Sequence, residues 1–264
     1  MRVLHIAPVL DWVGGVETYL INLVWLLEKR GHPQVVIFGK GDRNLVPSAY
    51  LIPQVNKPRP RRTKTTLQTF FRIVKEHKPD LIHVHHIANL AIVKAAVKVA
   101  PCVVTTHGYH TLCPASDFFL DAVLKLCDFR HANWLCFING WRYRCLSRHP
   151  LNALALYRRS QWLRTHISSF RAVICPSCYT AERHRLGGIP SEKIEVLPYF
   201  CPLEPRMKGF VDGRDVLFMG RLAPYKGYHV FLKAIAHLDG VSATVVGDLE
   251  PRKQRDIQRL VNYL

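Results

Sequence analysis

Short apolar runs alternating with amphipathic helical stretches predict an α/β protein built on parallel sheets. Three observations carry this expectation. The runs "RVLHIAP" (2–8), "QVVIFG" (34–39), "PDLIHVHH" (79–86), "PCVVTTHGYH" (101–110), "RAVICPS" (171–177) and "SEKIEVLP" (191–198) are each strand-like and bounded by turn residues. Helical patterns lie between most of them. The rhythm then breaks at "FCPLEPRMKGFVDGRD" (200–215), which is dense in turn residues, and restarts after it. Two domains are therefore expected, 1–203 and 204–264. A chain of 264 residues with 48% hydrophobic content is long enough to give each a core.

The elements follow in order. After the first strand, "GGVETYLINLVWLLEKRGH" places Val16, Leu20, Leu23, Val24 and Leu27 at three- and four-residue steps, one apolar helix face. Gly31 is placed to end that helix. Residues 56–66, "NKPRPRRTKTT", are Pro-rich and basic and read as an exposed loop. "LQTFFRIVKEHK" (67–78) and "IANLAIVKAAVKVA" read as helices. The stretch 111–149 is irregular and cysteine-rich. "PLNALALYRRSQWLRTHISSF" (150–170) reads as a basic amphipathic helix, and "SCYTAERHRLGG" as a helix capped by Ser177. Past the linker come the strand "DVLFMG", the helix "GYHVFLKAIAHL", the strand "SATVVGD" and the helix "EPRKQRDIQRLVNYL".

Composition narrows the partners. Thirty-seven Lys and Arg against nineteen acids leave a net charge of +18. This favours an anionic partner: nucleic acid, an acidic membrane surface or a phosphorylated small molecule. No apolar run approaches the roughly 18 residues of a membrane span, and the N-terminus lacks the apolar core of a secretory signal. A cytoplasmic protein is expected, its eight cysteines being reduced thiols or metal ligands.

The segment "FMGRLAPYKGYHVFLKAIA" (218–236) raises the sharpest question. Gly220 and Arg221 follow a strand; Lys226 and Gly227 open the next helix. In open α/β sheets ligands bind beyond the carboxyl ends of the strands. A helix N-terminus there offers free N–H groups and partial positive charge. A guanidinium and an ammonium added to it make a clamp for a diphosphate. The bland alternative is two solvated cations beside a turn. The first strand–helix junction repeats the theme with Gly14 and Gly15, where glycine allows a sharp turn and lets a phosphate reach the amides. An ordinary glycine turn is the other reading, and no dinucleotide fingerprint is present.

"GGVETYLINL", "DLIHVHH", "VVTTHGYHTLCP", "AVICPSCYTAERHRLGGIPSEKIEVLP", "VLFMGRLAPYKGYHVFLKAIA" and "TVVGD", in that order, resemble the family 4 (group 1) glycosyltransferases. The resemblance covers nearly the whole chain. It implies the GT-B fold, two Rossmann-like parallel-sheet domains, the second incomplete here. It implies a hexosyltransferase-type enzyme that moves a sugar from a nucleotide-diphosphate sugar to a glycan or lipid-linked acceptor, with retention. Residue by residue, it implies that Arg221 and Lys226 bind the donor diphosphate and stabilise it as it leaves, that Gly15 lets the first loop approach the phosphates, and that His107 faces the donor sugar. No cofactor is then required, because the fixed cations do the work of a metal.

This sequence departs from the family in two places. The family's two glutamates eight positions apart have no counterpart here, so a truncated chain short of full activity, with weak donor binding, is expected. "VLPYFCP" (196–202) stands where an Asn-Gly stretch is usual.

Further groups remain. Cys113, Cys127, Cys136 and Cys145 fall in the irregular stretch without a CxxC pair; they are either buried free thiols or a structural zinc site. His83, His85 and His86 at a strand end either bind metal or pack locally. Arg158, Arg159 and Arg164 beside Leu154, Leu156, Tyr157, Trp162 and Leu163 suit a helix lying on an anionic membrane, peripheral at its inner face, or else a half-buried helix. Two other functions stay open: a basic nucleic-acid- or anionic-surface-binding module, disfavoured because no nucleic-acid-binding pattern is present, and a nucleotide-sugar epimerase on the same fold.

Overall fold

A computed structural model describes residues 1–120, 122–201, 215–222 and 226–247. The chain divides into two compact units, Met1–Leu203 and Glu204–Leu264.

The first unit is built on a parallel sheet of strands β1 (Val3–Ala7), β2 (Gln34–Phe38), β3 (Ala49–Leu51), β4 (Leu81–His85), β5 (Cys102–Thr105), β8 (Ala172–Cys175) and β9 (Ile194–Val196). A short antiparallel hairpin, β6 (Phe119–Leu120) with β7 (Lys125–Leu126), stands apart from it. The sheet order is β3-β2-β1-β4-β5-β8-β9. From β1 the chain works outward to β2 and β3, then crosses back to lay β4 on the other side of β1. The switch point of the sheet is therefore between β1 and β4, and a crevice at their carboxyl ends follows from the topology.

Every residue of β1 and β2 is buried, as in a parallel strand covered on both faces. One face carries Val35, Ile37, Ile82 and Val104 under Phe70 and Ile73 of α2 (Thr63–His77) and Ile92 and Ala96 of α3 (Leu90–Val99). The other carries Val36 and Phe38 under Leu20, Ile21 and Val24 of α1 (Gly15–Lys29). Truncating Phe70, which is fully buried, would cost about 3–5 kcal/mol.

The helix ends are set by local chemistry. α1 stops in a Schellman turn: Gly31 has φ 78°, its N–H bonds to Glu28 O at 2.9 Å, and His32 N–H bonds to Leu27 O at 3.0 Å. Asn89 caps α3 by accepting from the amides of Ala91 and Ile92. Ser177 caps α6 (Cys178–Leu186) by accepting from Thr180 N–H at 3.1 Å.

Several expectations shift. α2 begins at Thr63, inside the expected loop, because Thr66 is buried and its hydroxyl bonds to Arg62 O. β3 is only three residues long, too short for its pattern to register in the sequence. The cysteine-rich stretch holds the hairpin and a helix, α4 (Leu135–Arg142). The long helix α5 (Pro150–Thr165) stops short of the expected Phe170, with a 3-10 turn Ile167–Ser169 after it. Arg159 and Leu163 of α5 are inside the protein, so this helix is a packed element with Arg159 off its solvated face.

In the second unit, β10 (Asp215–Met219) pairs in parallel with β11 (Ser242–Val246), and α7 (Tyr228–Ile235) packs on β10 through Phe218 and Phe231, ring centres 5.4 Å apart. A Cβ on Gly247 would lie 1.8 Å from Gly220 O, so the two strand ends approach as only glycine allows. The expected final helix and most of the linker, residues 202–214, lie outside the described residues.

Candidate active site

At the switch point of the first unit, the strand register decides which side chains meet. His5 of β1 is level with His83 of β4, and His85 with Thr105 of β5. His83 and His85 are two apart, so they share a face with His5. His107 follows β5 by two residues. Four imidazoles thus gather where strand ends meet, although their sequence positions span about a hundred residues.

They form a directional chain of hydrogen bonds. The Gln34 amide nitrogen donates to the carbonyls of His32 and Pro33, at 2.7 and 3.1 Å, which turns its Oε1 toward His5. His5 Nε2–H therefore donates to Gln34 Oε1 at 2.7 Å. His5 Nδ1, left as an acceptor, takes the N–H of His85 Nε2 at 3.1 Å. His85 Nδ1 then accepts from His107 Nε2–H at 2.9 Å, and His107 Nδ1 accepts from the Tyr199 hydroxyl at 2.6 Å. One neutral tautomer satisfies every link. His83 stands beside the chain, its Nε2 paired with Thr105 Oγ1 at 2.7 Å and its ring 3.9 Å from that of His85.

Burial keeps these groups uncharged. It lowers His5 to about 4, against the raising effect of its Gln34 bond. It lowers His107 to about 3, helped by His86. His83 and His85 are driven well below the ordinary range by burial and by neighbouring imidazoles. Burial beside Tyr19 raises Tyr199 to about 12, so its hydroxyl stays a donor.

The segment after β9 closes over this chain. Tyr199 and Phe200 pack on Tyr19 of α1, ring centres 4.8 and 5.5 Å away, and Tyr19 meets His107 edge-on at 5.6 Å. The residues standing where the family has Asn-Gly thus supply the partner of His107. Both ring nitrogens of His107 are engaged. The tyrosine hydroxyl is the link that faces outward, Tyr199 being 43% exposed.

His5, His83 and His85 are also the group whose ligand atoms all lie within 4.8 Å. Each is buried and hydrogen-bonded to a neutral partner, and no carboxylate or thiolate among the described residues joins them. His86 sits just beyond β4 with φ 45°, its ring 4.8 Å from that of His110.

Gly14 and Gly15 stand at the same end of the sheet. Gly14 is extended, with φ −176°, and Gly15 opens α1, so neither is demanded by a left-handed turn. A Cβ on Gly15 would meet nothing within 4 Å. Glycine there leaves open space over the first amides of α1.

In the second unit Gly220, with φ 158°, ends β10 next to Arg221, and Gly227, with φ 77°, caps α7 next to Lys226. Arg221 and Lys226 are both exposed, on either side of the strand-to-helix turn.

The model of Glycosyltransferase Family 4 matches residues 13–204. The chain belongs to glycosyltransferase family 4. Solved structures agree on the fold. HepE from Anabaena, in complex with UDP, is 16% identical over all of this family 4 chain and 66% of its own length, with a TM-score of 0.60. A glycosyltransferase from Rickettsia africae is 16% identical over 99% of this chain and 65% of its own, with a TM-score of 0.63. The UDP-GlcNAc 2-epimerase of Neisseria meningitidis, bound to UDP-GlcNAc, is 14% identical over all of this chain and 70% of its own, with a TM-score of 0.51. No curated protein matches the sequence. The family 4 chain therefore has an α/β fold of the GT-B type, and it spans about two thirds of the length of HepE and of the Rickettsia enzyme.

Proposed function

We propose that this chain carries the donor-handling machinery of a retaining, hexosyltransferase-type glycosyltransferase that uses a nucleoside-diphosphate sugar, a UDP-sugar being the first class to test. The reading rests on one observation above others: two cations flank a strand-to-helix turn whose two glycines hold positive φ, in a family 4 chain.

The chemistry follows from the residue types. In glycosyl transfer the bond between the sugar carbon and the diphosphate breaks, and charge collects on the departing phosphate oxygen. Arg221 and Lys226, with the amides at the start of α7, meet that charge without rearrangement, so they stabilise the transition state more than the ground state. Such a site needs no metal cofactor. The amides over Gly15, in the first unit, are themselves open to an anion. In the first unit His107 is a neutral, fixed ring at the carboxyl end of the sheet. With Nε2 given to His85 and Nδ1 taken by Tyr199, it acts by position and polarity and has no proton to transfer. The acceptor is a glycan or a lipid-linked sugar.

A lipid-linked acceptor would bring the protein to a bilayer. No helix among the described residues is long and apolar enough to cross one. α4, however, exposes Phe137, Ile138 and Trp141 on the face that Trp134 begins, at steps of three and four. Arg142, Arg144, Arg148 and Arg158 are exposed in the same stretch. That pairing of aromatic and cationic groups suits an anionic bilayer at the inner, cytoplasmic face better than α5 does. Nucleic acid has no place in this reading.

The test is UDP release from radiolabelled UDP-glucose and UDP-N-acetylglucosamine at high enzyme and donor concentration, where a parent of low activity still gives a measurable rate, with Arg221→Ala and Lys226→Ala beside it. Release of UDP that falls at least a hundredfold in both variants supports the reading. Equal release from variants and parent removes it. Conversion of UDP-N-acetylglucosamine to its 2-epimer, without sugar transfer, would replace it with the epimerase.

A further inference from the structure

We propose that Cys113, Cys127, Cys136 and Cys145 together bind one zinc ion that pins the segment between β5 and α5. The claim is independent of the transfer reading.

Four cysteines spread over thirty-three residues have no reason in sequence to meet, yet all four line one small cavity. Its remaining lining is mostly apolar: Phe118, Phe119, Leu120, Phe129 and Leu146. All four are free thiols. The fold works to bring them together. Cys127 follows β7 directly, and its amide bonds to Phe118 O at 2.6 Å. Cys136 opens α4, and Cys145 lies three residues past its end. A Cβ on Gly140 of α4 would lie 2.7 Å from Leu146 Cβ, so the glycine lets the helix press onto the turn that bears Cys145. Ala122 N–H bonds to Tyr143 O at 3.0 Å and ties the hairpin to the end of α4.

A second observation points to negative charge at this place. Arg159 is 2% exposed, and no carboxylate among the described residues pairs with it. Its guanidinium donates to Pro114 O and Ser116 Oγ, both at 3.2 Å, and so embraces the turn beside Cys113. Its Nε has no partner. A buried guanidinium without a counter-ion is costly, and a zinc tetrathiolate carries two net negative charges.

The donor set selects the metal class. Four thiolates suit zinc, held at about 2.3 Å per bond. The cavity has about 20 Å³ of free space, room for one ion-sized body. Binding draws the sulfurs inward, since the imidazole trio is the set already within 4.8 Å. A segment with short elements and a thin core would gain most from such a staple.

The purified full chain is dialysed and its metal measured by mass spectrometry, then recharged with cobalt(II) and its absorption recorded. About one zinc per chain is expected, together with a strong sulfur-to-cobalt charge-transfer band. Cys178→Ser, an exposed thiol elsewhere, should keep both; Cys136→Ser and Cys145→Ser should lose zinc or hold it at least a hundredfold more weakly. Should these variants fail to fold, the cobalt spectrum of the parent decides alone. Folded parent chain with neither zinc nor the cobalt band overturns the proposal. So does iron in place of zinc, a pair of disulfides in chain purified without reductant, or zinc that survives in the two cysteine variants and disappears in His85→Gln.

Discussion

The Tyr199 hydroxyl donates to Nδ1 of His107 across 2.6 Å, joining the segment after the last strand of the first unit to the end of β5. That bond is the outermost link of a chain running through His85 and His5 to Gln34, and it occupies the Nδ1 that this chain leaves as an acceptor.

Tyr199→Phe keeps the ring stack on Tyr19 and removes only the donor. A loss of about 1 kcal/mol in urea denaturation is expected. In ¹⁵N-histidine NMR the His5 and His85 signals should stay as Nε2–H tautomers, while His107 Nδ1 becomes free to take a proton and its pKa rises from about 3. An unchanged His107 titration would show that the hydroxyl does not hold the ring.

Acid should destabilise the first unit through the same imidazoles. The unfolded chain takes up protons at them near pH 6.5, the folded chain only near 4 at His5 and 3 at His107. Between those values the unfolded state binds more protons, so stability rises with pH and is lost on acidification below 6.5. His5, fully buried, should contribute about 1 kcal/mol of loss for each pH unit. Urea midpoints at pH 7.5 and pH 5.5 check this, and the slope should shrink in His5→Gln. Equal midpoints at the two pH values would contradict neutral burial of the cluster.

Gly15→Val separates room from folding. Nothing within 4 Å opposes a side chain there, and the backbone is not left-handed. Thermal stability should move by less than about 1 kcal/mol. Donor turnover should fall at least tenfold, because the methyls cover the first amides of α1. Unaltered turnover would place the donor phosphates elsewhere.

Trp134→Ser with Trp141→Ser tests the aromatic face of α4. Both side chains are exposed, so the fold should be indifferent. Sedimentation with phosphatidylglycerol vesicles at low salt should drop at least tenfold relative to the parent, and binding by the parent should itself weaken with salt. A parent chain that stays in the supernatant removes the bilayer from the picture.

What the sequence discloses depends on how locally a feature is specified. The strand–helix alternation and the Gly220–Arg221, Lys226–Gly227 junction are written within twenty residues, so pattern and turn chemistry suffice to find them. Gly31 ends α1 for the same reason. The histidine chain is different. Its members sit at positions 5, 34, 85, 107 and 199, and only the strand order β2-β1-β4-β5 makes them neighbours. The one hint was histidine recurring in the carboxyl halves of β1 and β4. Tyr199 carried no signal at all, since its role depends on where the chain goes after β9. Charge beside leucine in α5 left an interfacial and a half-buried helix both open, and only the packing shows that Arg159 turns inward.

The contact between Gly220 and Gly247 bears on how this protein is engineered. Both glycines end neighbouring strands, one of them next to Arg221, and a methyl group on Gly247 would collide with the Gly220 carbonyl. Saturation libraries aimed at this rim will return dead clones at Gly247 through misfolding. Such clones carry no information about sugar preference unless expression level is scored alongside turnover.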